Sequence, residues 1–420
     1  MAKVGEMRYQ VHSQAKRIWH ETASSRSHMT LRAQENRVRH LGVCRPVLAE
    51  PRPAVNRRRR VGLSRRSSVS HWVARTLAIF ILVGCSDPSG LQEQVGGPAE
   101  CTIDTRFIFD TGVPRDGIPA LTDPPFVRAD HPTVSYLKPE DRVVGFLLGD
   151  RALAVPHNVL WWHEIVNLNS DDIGLAVTYC PLTGSSIIFD RSVVDGAEFG
   201  VSGLIFNNNL MMYDRRDRSS LWPQMYQRAG CGPELGRRLP TFPAIDIQWQ
   251  GWLKLHPNTL VVGGSIEPRR PYDLYPYGDY ESDPNFQVAM PFVDNRLFPK
   301  KRVLGLPRAG FAGAGVAFPL DISEPWRVAS LHYDGSSAVV FWDSEKSAVV
   351  ALRPLAEGQE LEFEAGLSGI FDLQTGSRWT VDGRAVDGPL AGAELEIIPE
   401  AYMAFWGAWS VFEEDTLLWD

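Results

Sequence analysis

The sequence predicts a β-rich α+β protein that consists of two duplicated halves of mainly antiparallel strands with short helices. Three observations predict this class. Motifs recur in the same order along the chain, β-branched and aromatic runs are separated by Gly- and Pro-bearing turns, and the first half offers one good helix candidate. The composition, 44% hydrophobic and 22% charged, is that of a folded chain.

The first part of the chain is a basic leader. Residues 1–84 hold 17 Lys and Arg against 4 Asp and Glu, and they end in the apolar run Leu77–Val83 followed by Gly84 and Cys85. A basic region, a short apolar segment and a small residue before cysteine are typical of a bacterial lipoprotein signal, and the run is too short to span a bilayer. We expect the leader to be removed, or to be a misassigned start, and Cys85 to be lipidated.

This signal predicts an exported protein, lipid-anchored to the membrane on the periplasmic side of the cell envelope. Residues 85–104 are then the linker after the lipidated cysteine. The chain after residue 84 holds 26 basic and 46 acidic residues. An acidic surface repels phosphate backbones, so nucleic-acid binding is not expected. The expected partners are the membrane, through the lipid, and an unknown small-molecule or envelope ligand.

The mature chain keeps three further cysteines, Cys101, Cys180 and Cys231. Because three is an odd number, at least one of them has no partner within the chain. In an oxidising compartment a free thiol is a liability unless it is buried or used. Cys101 and Cys231 can form a disulfide, but the sequence leaves this pairing open.

Two stretches of the folded part correspond to each other, residues 105–262 and residues 302–420. Ser220–Leu239 matches Ser377–Leu395, beginning with Trp222 opposite Trp379. The matched positions that follow at identical spacing are Ala229, Gly232, Pro233, Gly236 and Leu239 against Ala385, Gly388, Pro389, Gly392 and Leu395. Farther on, Trp249, Trp252 and Thr259 match Trp406, Trp409 and Thr416. We therefore predict two related repeats.

Most of each repeat has the pattern of strand and turn. The runs 174–180 and 185–190 are β-branched and aromatic on either side of a Pro- and Gly-bearing turn, which predicts a hairpin. The runs 199–206 and 209–214 are similar, and so are 338–343 and 348–352 in the second repeat. The segment 156–167, "PHNVLWWHEIVN", is predicted to be helical with Pro156 at its first position.

A Tyr- and Pro-rich connector, residues 263–301, joins the repeats. Its most aromatic part is "RRPYDLYPYGDY", residues 269–280. Aromatic rings among polar groups can stack on sugars or flat ligands, which makes Tyr272, Tyr277 and Tyr280 candidate ligand-binding residues. The alternative is that these rings pack across a domain junction.

The comparison of the repeats singles out residues that only the first repeat carries. These are His157, His163, Glu164, Asn167 and Cys180. On the predicted helix, His157 and Glu164 share one face, and His163 and Asn167 share the adjacent one. Cys180 lies at a strand end, so we expect one compact cluster of nitrogen, oxygen and sulfur groups.

Three interpretations of this cluster stay open. His157, His163, Glu164 and Cys180 suit a transition metal such as copper, zinc or iron. Alternatively, Cys180 is a catalytic thiol with His163 as its partner, oriented by Glu164 or Asn167. In the third interpretation these residues are structural. The functional hypotheses are therefore a metal or thiol site, with redox chemistry as one option, and a non-catalytic module that binds a cell-envelope ligand.

The motifs together resemble a known family. The stretches "WHEIVN", "VTYCPLTGSSIIFDR", "FGVSGLIFNNNLMMYDR", "SLWPQ" and "YPYGDY" are similar to the bacterial domain of unknown function 3179 family, often found on exported proteins and lipoproteins. The resemblance covers residues 105–420 and implies that the motif residues His157, His163, Glu164, Asn167, Tyr179, Cys180, Asp214 and Trp222 belong to the family pattern. It implies no established reaction. Some relatives read Cys-Pro-Leu-Cys where this chain has Thr183 in the second cysteine position, so a two-cysteine redox cycle within this motif is not expected here.

Overall fold

The fold consists mainly of short antiparallel strands and contains three α-helices. The computed structural model describes residues 100–170, 173–216, 218–266, 269–308 and 314–419, which belong to one compact unit. The predicted leader, Cys85 and the linker as far as residue 99 lie outside the described residues, so lipidation stays a prediction. No helix in the described ranges has the length and apolarity that crossing a membrane requires.

The helices are short, and each begins at the end of a strand. They are His157–His163 (α1), Trp249–Leu255 (α2) and Trp406–Phe412 (α3). The strands before residue 263 are Ile108–Asp110 (β1), Leu121–Thr122 (β2), Phe126–Arg128 (β3), Arg142–Leu148 (β4), Arg151–Pro156 (β5), Ile165–Asn169 (β6), Gly174–Cys180 (β7), Ser185–Asp190 (β8), Phe199–Phe206 (β9), Asn209–Asp214 (β10), Leu221–Pro223 (β11), Thr241–Phe242 (β12), Ile245–Gln248 (β13) and Leu260–Val262 (β14).

The strands after residue 301 are Arg302–Leu306 (β15), Val316–Pro319 (β16), Trp326–Tyr333 (β17), Ser336–Asp343 (β18), Ala348–Arg353 (β19), Leu355–Ala356 (β20), Gln359–Glu360 (β21), Phe363–Gly366 (β22), Gly369–Asp372 (β23), Arg378–Trp379 (β24), Ala385–Asp387 (β25), Glu396–Ile397 (β26), Tyr402–Phe405 (β27) and Leu417–Leu418 (β28). The predicted class, a strand-rich α+β protein with mainly antiparallel strands and short helices, is confirmed.

The largest sheet combines strands from both stretches. Its order is β2-β6-β7-β8-β27-β15-β16-β28, and β12 pairs with β8. A second sheet has the order β13-β4-β5-β14-β3, and smaller sheets have the orders β1-β9-β10-β11, β17-β18-β19-β26 and β22-β23-β24-β25. Because β8 pairs with β27, the two stretches share one sheet.

The hairpins predicted from the sequence are present. β7 and β8 pair with Cys180 opposite Ser185 across the turn, and β9 pairs with β10. In the later stretch β18 pairs with β19. In each case β-branched and aromatic residues occupy a pleated, buried surface, which is the setting that they favour.

The helix predicted over residues 156–167 is shorter than expected. Pro156 is the residue before its first turn, and α1 ends at His163. Ile165 and Val166 then belong to β6, because β-branched residues lose side-chain freedom in a helix and fit a sheet. The prediction that Glu164 and Asn167 lie on faces of one helix is therefore wrong.

The same local arrangement occurs in both stretches. The strand orders β13-β4-β5-β14 and β27-β15-β16-β28 have identical directions, antiparallel twice and then parallel. Helices α2 and α3 follow the corresponding strands β13 and β27. These elements fold alike, while their origin by duplication stays a prediction.

Matched side chains hold the matched elements. The Trp252 indole N–H donates to Thr259 Oγ1 at 2.8 Å, and Trp409 donates to Thr416 Oγ1 at 2.9 Å. Farther upstream in each stretch, the Trp222 indole donates to Asp214 and the Trp379 indole to an aspartate of β23, both at 3.0 Å. The recurring tryptophans are therefore structural.

A disulfide ties the first described residues to the body. Cys101 is bonded to Cys231 across a sequence separation of 130 residues. Cys180 is the free cysteine of the described chain, and it is buried. The odd cysteine expected from the count is thus Cys180.

Candidate functional site

The candidate site begins at the residue that ends α1. Glu164 has φ 56° and ψ −31°, a positive φ that L-residues with a Cβ rarely adopt. Its backbone is fixed from both sides, because its N–H donates to Leu160 O at 2.8 Å and its carbonyl accepts from Tyr179 N at 2.9 Å. Such a conformation costs about 1–3 kcal/mol, and helix ends of this kind are usually glycine or asparagine.

The Glu164 side chain is buried without a stabilising partner. Burial alone raises the pKa of its carboxyl group to about 8, with no charged group and no hydrogen bond from a described residue to lower it. A carboxylate that loses its hydration without gaining donors takes up a proton instead. Glu164 is therefore protonated at neutral pH.

Cys180 ends strand β7 beside this carboxyl group. Its Sγ accepts a hydrogen bond from Leu210 N at 3.3 Å and donates to Asn208 O at 3.5 Å. Burial, and then the charge of Glu164, raise the pKa of the Cys180 thiol to about 11. The thiol is thus protonated at neutral pH, and an ionised Glu164 disfavours its ionisation.

Sheet register brings the two groups together. β6 pairs with β7 so that Ile165 lies opposite Thr178, which places Glu164 next to the last residues of β7. The sequence predicted both side chains as site residues, and the structure brings them together. Strand pairing, and not the predicted helix face, places them side by side.

The connector covers this pair with tyrosines. Tyr277 donates its hydroxyl to Trp161 O at 3.4 Å, and burial followed by the charges of Glu164 and Cys180 raises its pKa. Tyr280 donates to Leu182 O, in the turn after Cys180, at 2.9 Å. The hydroxyls of these predicted ligand-binding residues therefore anchor the connector to the site.

His163 has both ring nitrogens engaged. Its Nδ1 lies 2.7 Å from Pro119 O, and its Nε2 lies 2.8 Å from the Tyr272 hydroxyl. Because a carbonyl only accepts, Nδ1 carries the proton and Nε2 accepts from Tyr272. Burial lowers the pKa of His163. His163, which was predicted as the partner of the Cys180 thiol, is thus hydrogen-bonded to Pro119 and Tyr272 instead. Tyr272 holds the imidazole ring in place.

His157 belongs to a separate buried charge network. Its Nε2 lies 3.1 Å from Asp246 Oδ2, although the angle is outside hydrogen-bonding geometry. Asp246 also accepts from Arg142 Nε at 2.5 Å and from Ser186 Oγ at 2.6 Å. Burial lowers the pKa of His157. Asp246 was not predicted as a site residue, because it lies about 90 residues after His157 in the chain and belongs to no motif.

The four residues predicted as metal ligands are not grouped. Across the described ranges, no three His, Cys, Asp or Glu side chains are placed to hold a metal ion together. His157 and His163 contact Asp246 and Tyr272 instead of the Glu164–Cys180 pair. The donor arrangement therefore gives no support to the metal interpretation.

Asn167 has a structural role. Its Nδ2 donates to Phe199 O at 2.9 Å and its Oδ1 accepts from Phe199 N at 2.9 Å, which ties β6 to β9. Asn167 was also predicted as a residue that could orient a catalytic histidine. It makes no such contact, because both polar atoms of its amide group are hydrogen-bonded to the Phe199 backbone.

A buried polar network lies behind the Cys180 turn. Gln224 Nε2 donates to Thr178 Oγ1 at 2.8 Å, and Gln224 Oε1 accepts from Ser185 Oγ at 2.6 Å and Asn209 Nδ2 at 2.9 Å. Thr183 Oγ1 closes the network at 2.8 Å from Ser185 Oγ. The motifs "TYCPLTGSS", "FNNNL" and "SLWPQ" meet here, which explains why these polar residues occur in buried strands.

An open pocket lies on the outer side of the connector. It has a volume of about 450 Å³ and is lined by Trp161, Tyr275, Gly278, Asp279, Glu281 and Ser282. The rings of Trp161 and Tyr275 meet edge to face at 4.9 Å. The sequence reasoning missed Tyr275, although it lies within the aromatic stretch that it singled out.

The comparisons with known proteins place this geometry in a family. The model of the family described as "Protein of unknown function (DUF3179)" matches residues 115–416. The chain belongs to the domain of unknown function 3179 family. The matched range includes α1, the Cys180 turn and the connector. Searches of curated proteins and of solved structures found no match to the chain.

Proposed function

We propose that this member of the domain of unknown function 3179 family is an exported, lipid-anchored protein of the cell envelope with a thiol-centred site at Cys180 and Glu164. One observation carries the site: a buried carboxyl group without hydrogen bonds, on a strained backbone, adjoins the free thiol of the described chain. Strain and desolvation together at one residue are typical of functional positions.

The proposed role of Glu164 is that of a proton acceptor for the thiol. With a pKa of about 8, the carboxyl group has its ionised form within reach of neutral pH, as acid–base catalysis requires. In molecules whose Glu164 is ionised, Cys180 Sγ forms a bond to an electrophilic atom of a ligand, the thiol proton passes to the Glu164 carboxylate, and the leaving group departs with the electron pair of the bond that breaks.

Thiol alkylation tests this role. Iodoacetamide is the probe, and the rate of Cys180 modification is followed by mass spectrometry between pH 6 and pH 10 in the wild type and in Glu164→Gln. Proton transfer to Glu164 predicts slower alkylation in Glu164→Gln below about pH 9. A carboxylate that only repels the thiolate predicts faster alkylation in the variant, because the charge that raises the pKa of Cys180 is gone. The second result contradicts the proposal.

The proposed location is supported by two features. The leader ends in a lipoprotein-type signal before Cys85, and the disulfide between Cys101 and Cys231 suits an oxidising compartment. Cell fractionation of the wild type and of Cys85→Ala tests the anchor. We expect the wild type in the membrane fraction and the variant outside it, and equal membrane association of both contradicts lipidation at Cys85.

A second candidate function is the non-catalytic binding of an envelope ligand. The observation that favours it is the open pocket, in which the Trp161 and Tyr275 rings lie beside the carboxylates of Asp279 and Glu281. Aromatic faces with adjacent acids suit sugars and organic cations. Binding that survives Cys180→Ala and is lost in Tyr275→Ala supports this function over the thiol site.

A further inference from the structure

Outside the thiol site, two arginines lie opposite each other on adjacent antiparallel segments of the backbone. Arg228 and Arg238 are paired in an isolated antiparallel bridge. The backbone hydrogen bonds flank this pair, as the bond from Ala229 N to Arg237 O at 3.0 Å shows. In such a pair the Cα atoms are about 4.5 Å apart and the side chains lie close together on one face. Like charges placed in this way are destabilising.

Neither guanidinium group forms an ion pair with a carboxylate of the described residues. The Nε of Arg228 is buried and has no hydrogen-bond partner there. The Arg228 guanidinium carbon lies 5.0 Å from the centre of the Tyr226 ring, and its charge also acts on the carboxyl group of Glu413. The pair is therefore a concentration of positive charge with unused donors.

The corresponding loop in residues 302–420 carries oppositely charged residues at the two matching positions, as expected where the pair is only structural. Arg384 and Glu394 form the same isolated antiparallel bridge, flanked by a hydrogen bond from Ala385 N to Ala393 O at 2.9 Å. Here the charges are opposite, and Arg384 Nε also donates to Asp382 Oδ2 at 2.8 Å. The same backbone arrangement thus carries opposite charges at Arg384 and Glu394 but two positive charges at Arg228 and Arg238.

The repulsive pair opens into a cleft between the two stretches. The cleft has a volume of about 490 Å³ and also contains Arg308 and Tyr333. Its facing side carries Glu413, whose Oε2 accepts from Arg308 N at 3.1 Å and from Arg308 Nε at 3.3 Å. Glu413 accepts hydrogen bonds from Arg308 and attracts Arg228 only through its charge, so the donors of the arginine pair stay available to a ligand.

We propose that Arg228 and Arg238 bind the oxyanion group of a small ligand in this cleft. Two guanidinium groups on one face present the planar donors that match a carboxylate or a phosphate. The remaining acids of the cleft, Asp334, Glu400 and Glu414, disfavour a ligand with several negative charges. The ligand class is therefore a small organic molecule with one oxyanion group, and this site is independent of the thiol site.

Thermal unfolding of the full-length chain tests the site, with inorganic phosphate and acetate as separate probes and sodium chloride at matched ionic strength as the reference. Arg238→Glu converts the pair into the Arg384–Glu394 arrangement, and Glu394→Arg is the matched control with the opposite change. A ligand that binds the native state raises the unfolding temperature. We expect at least one probe to raise it in the wild type and in Glu394→Arg, and on the order of tenfold weaker binding in Arg238→Glu.

The two probes distinguish the sources of the oxyanion. A response to phosphate alone assigns a phosphoryl group, a response to acetate alone assigns a carboxylate, and a response to both supports the shared chemistry. Without either probe, Arg238→Glu is expected to raise the unfolding temperature, since it removes the repulsion. No specific response in the wild type, or an equal response in folded Arg238→Glu, overturns the proposal.

Discussion

Glu164 combines two features that each cost stability. Its backbone has a positive φ, and its carboxyl group is buried without a hydrogen bond from the described residues. Glycine would relieve the first cost and glutamine the second. A residue that departs from the usual preferences in both backbone conformation and burial is expected at a functional position.

Glu164→Gln is predicted to make stability less dependent on pH. The folded-state pKa of about 8 lies above the unfolded value of 4.5, so the wild type loses stability as the pH rises from about 4.5 to about 8. The loss is roughly 5 kcal/mol at pH 9. The variant lacks this term, and urea unfolding at pH 5 and pH 9 measures the difference. An equal fall in stability for both proteins contradicts the raised pKa.

The sequence singled out Glu164 and Cys180 as candidate site residues, because only the first stretch carries them. It was not sufficient to separate them from His157 and His163. The partners of those histidines, Asp246 and Tyr272, come from distant parts of the chain, and hydrogen bonds across such separations leave no local pattern.

Strands were more predictable than helices. β7 and β8 have the bounds predicted from β-branched and aromatic runs, whereas α2 and α3 were not predicted. Both helices are seven residues long and contain two tryptophans each, so neither length nor propensity indicates a helix. Their packing against a matched glycine decides their position instead.

Two matched glycines test this packing. A Cβ at Gly145 would lie 2.5 Å from the Trp252 ring, and one at Gly305 would lie 2.0 Å from the Trp409 ring. Gly145→Ala and Gly305→Ala are both predicted to destabilise the protein by about 1–3 kcal/mol, with the larger effect at Gly305. Urea unfolding measures both. Tolerance of alanine at either position contradicts the close contact.

A buried lysine ties separate parts of the connector to each other. Lys300 Nζ donates to Tyr280 O at 3.1 Å and to Asn285 O at 2.9 Å, and it lies 3.3 Å from the centre of the Tyr280 ring. Burial lowers the pKa of Lys300 to about 8. Because Tyr280 also binds Leu182 O, this lysine is linked to the Cys180 turn.

Lys300→Met is therefore predicted to expose Cys180. Loss of the two charge-assisted hydrogen bonds favours local opening of the connector, and we expect alkylation of Cys180 at pH 8 to become about tenfold faster. The neighbouring Lys301→Met is the control, because Lys301 pairs with Asp321 at the surface. Equal alkylation rates in the two variants would rule out the role of Lys300.

On the scale of the whole molecule, the shared sheet was the least predictable feature. Repeats, strands and turns could be read from local patterns, but the pairing of β8 with β27 joins residues more than two hundred positions apart. The sequence contains no local signal for such a contact. The two stretches therefore fold as parts of one unit rather than as two independent domains.

The disulfide is predicted to contribute to the stability of this unit. Because it closes a separation of 130 residues, its removal in Cys101→Ala/Cys231→Ala should lower the free energy of unfolding by roughly 2–5 kcal/mol. Urea unfolding under oxidising and reducing conditions measures this, and the double variant should show no response to reductant. Equal stability of the oxidised wild type and the variant contradicts the prediction.

Glu164 is expected to be a buried, protonated acid beside the Cys180 thiol. Infrared difference spectra between the wild type and Glu164→Gln, recorded from pH 5 to pH 10, report the carboxyl group directly. We expect a protonated carboxyl band at pH 7 that disappears with a midpoint near pH 8. A carboxyl group that is already ionised at pH 6 would show that burial does not raise the pKa of Glu164.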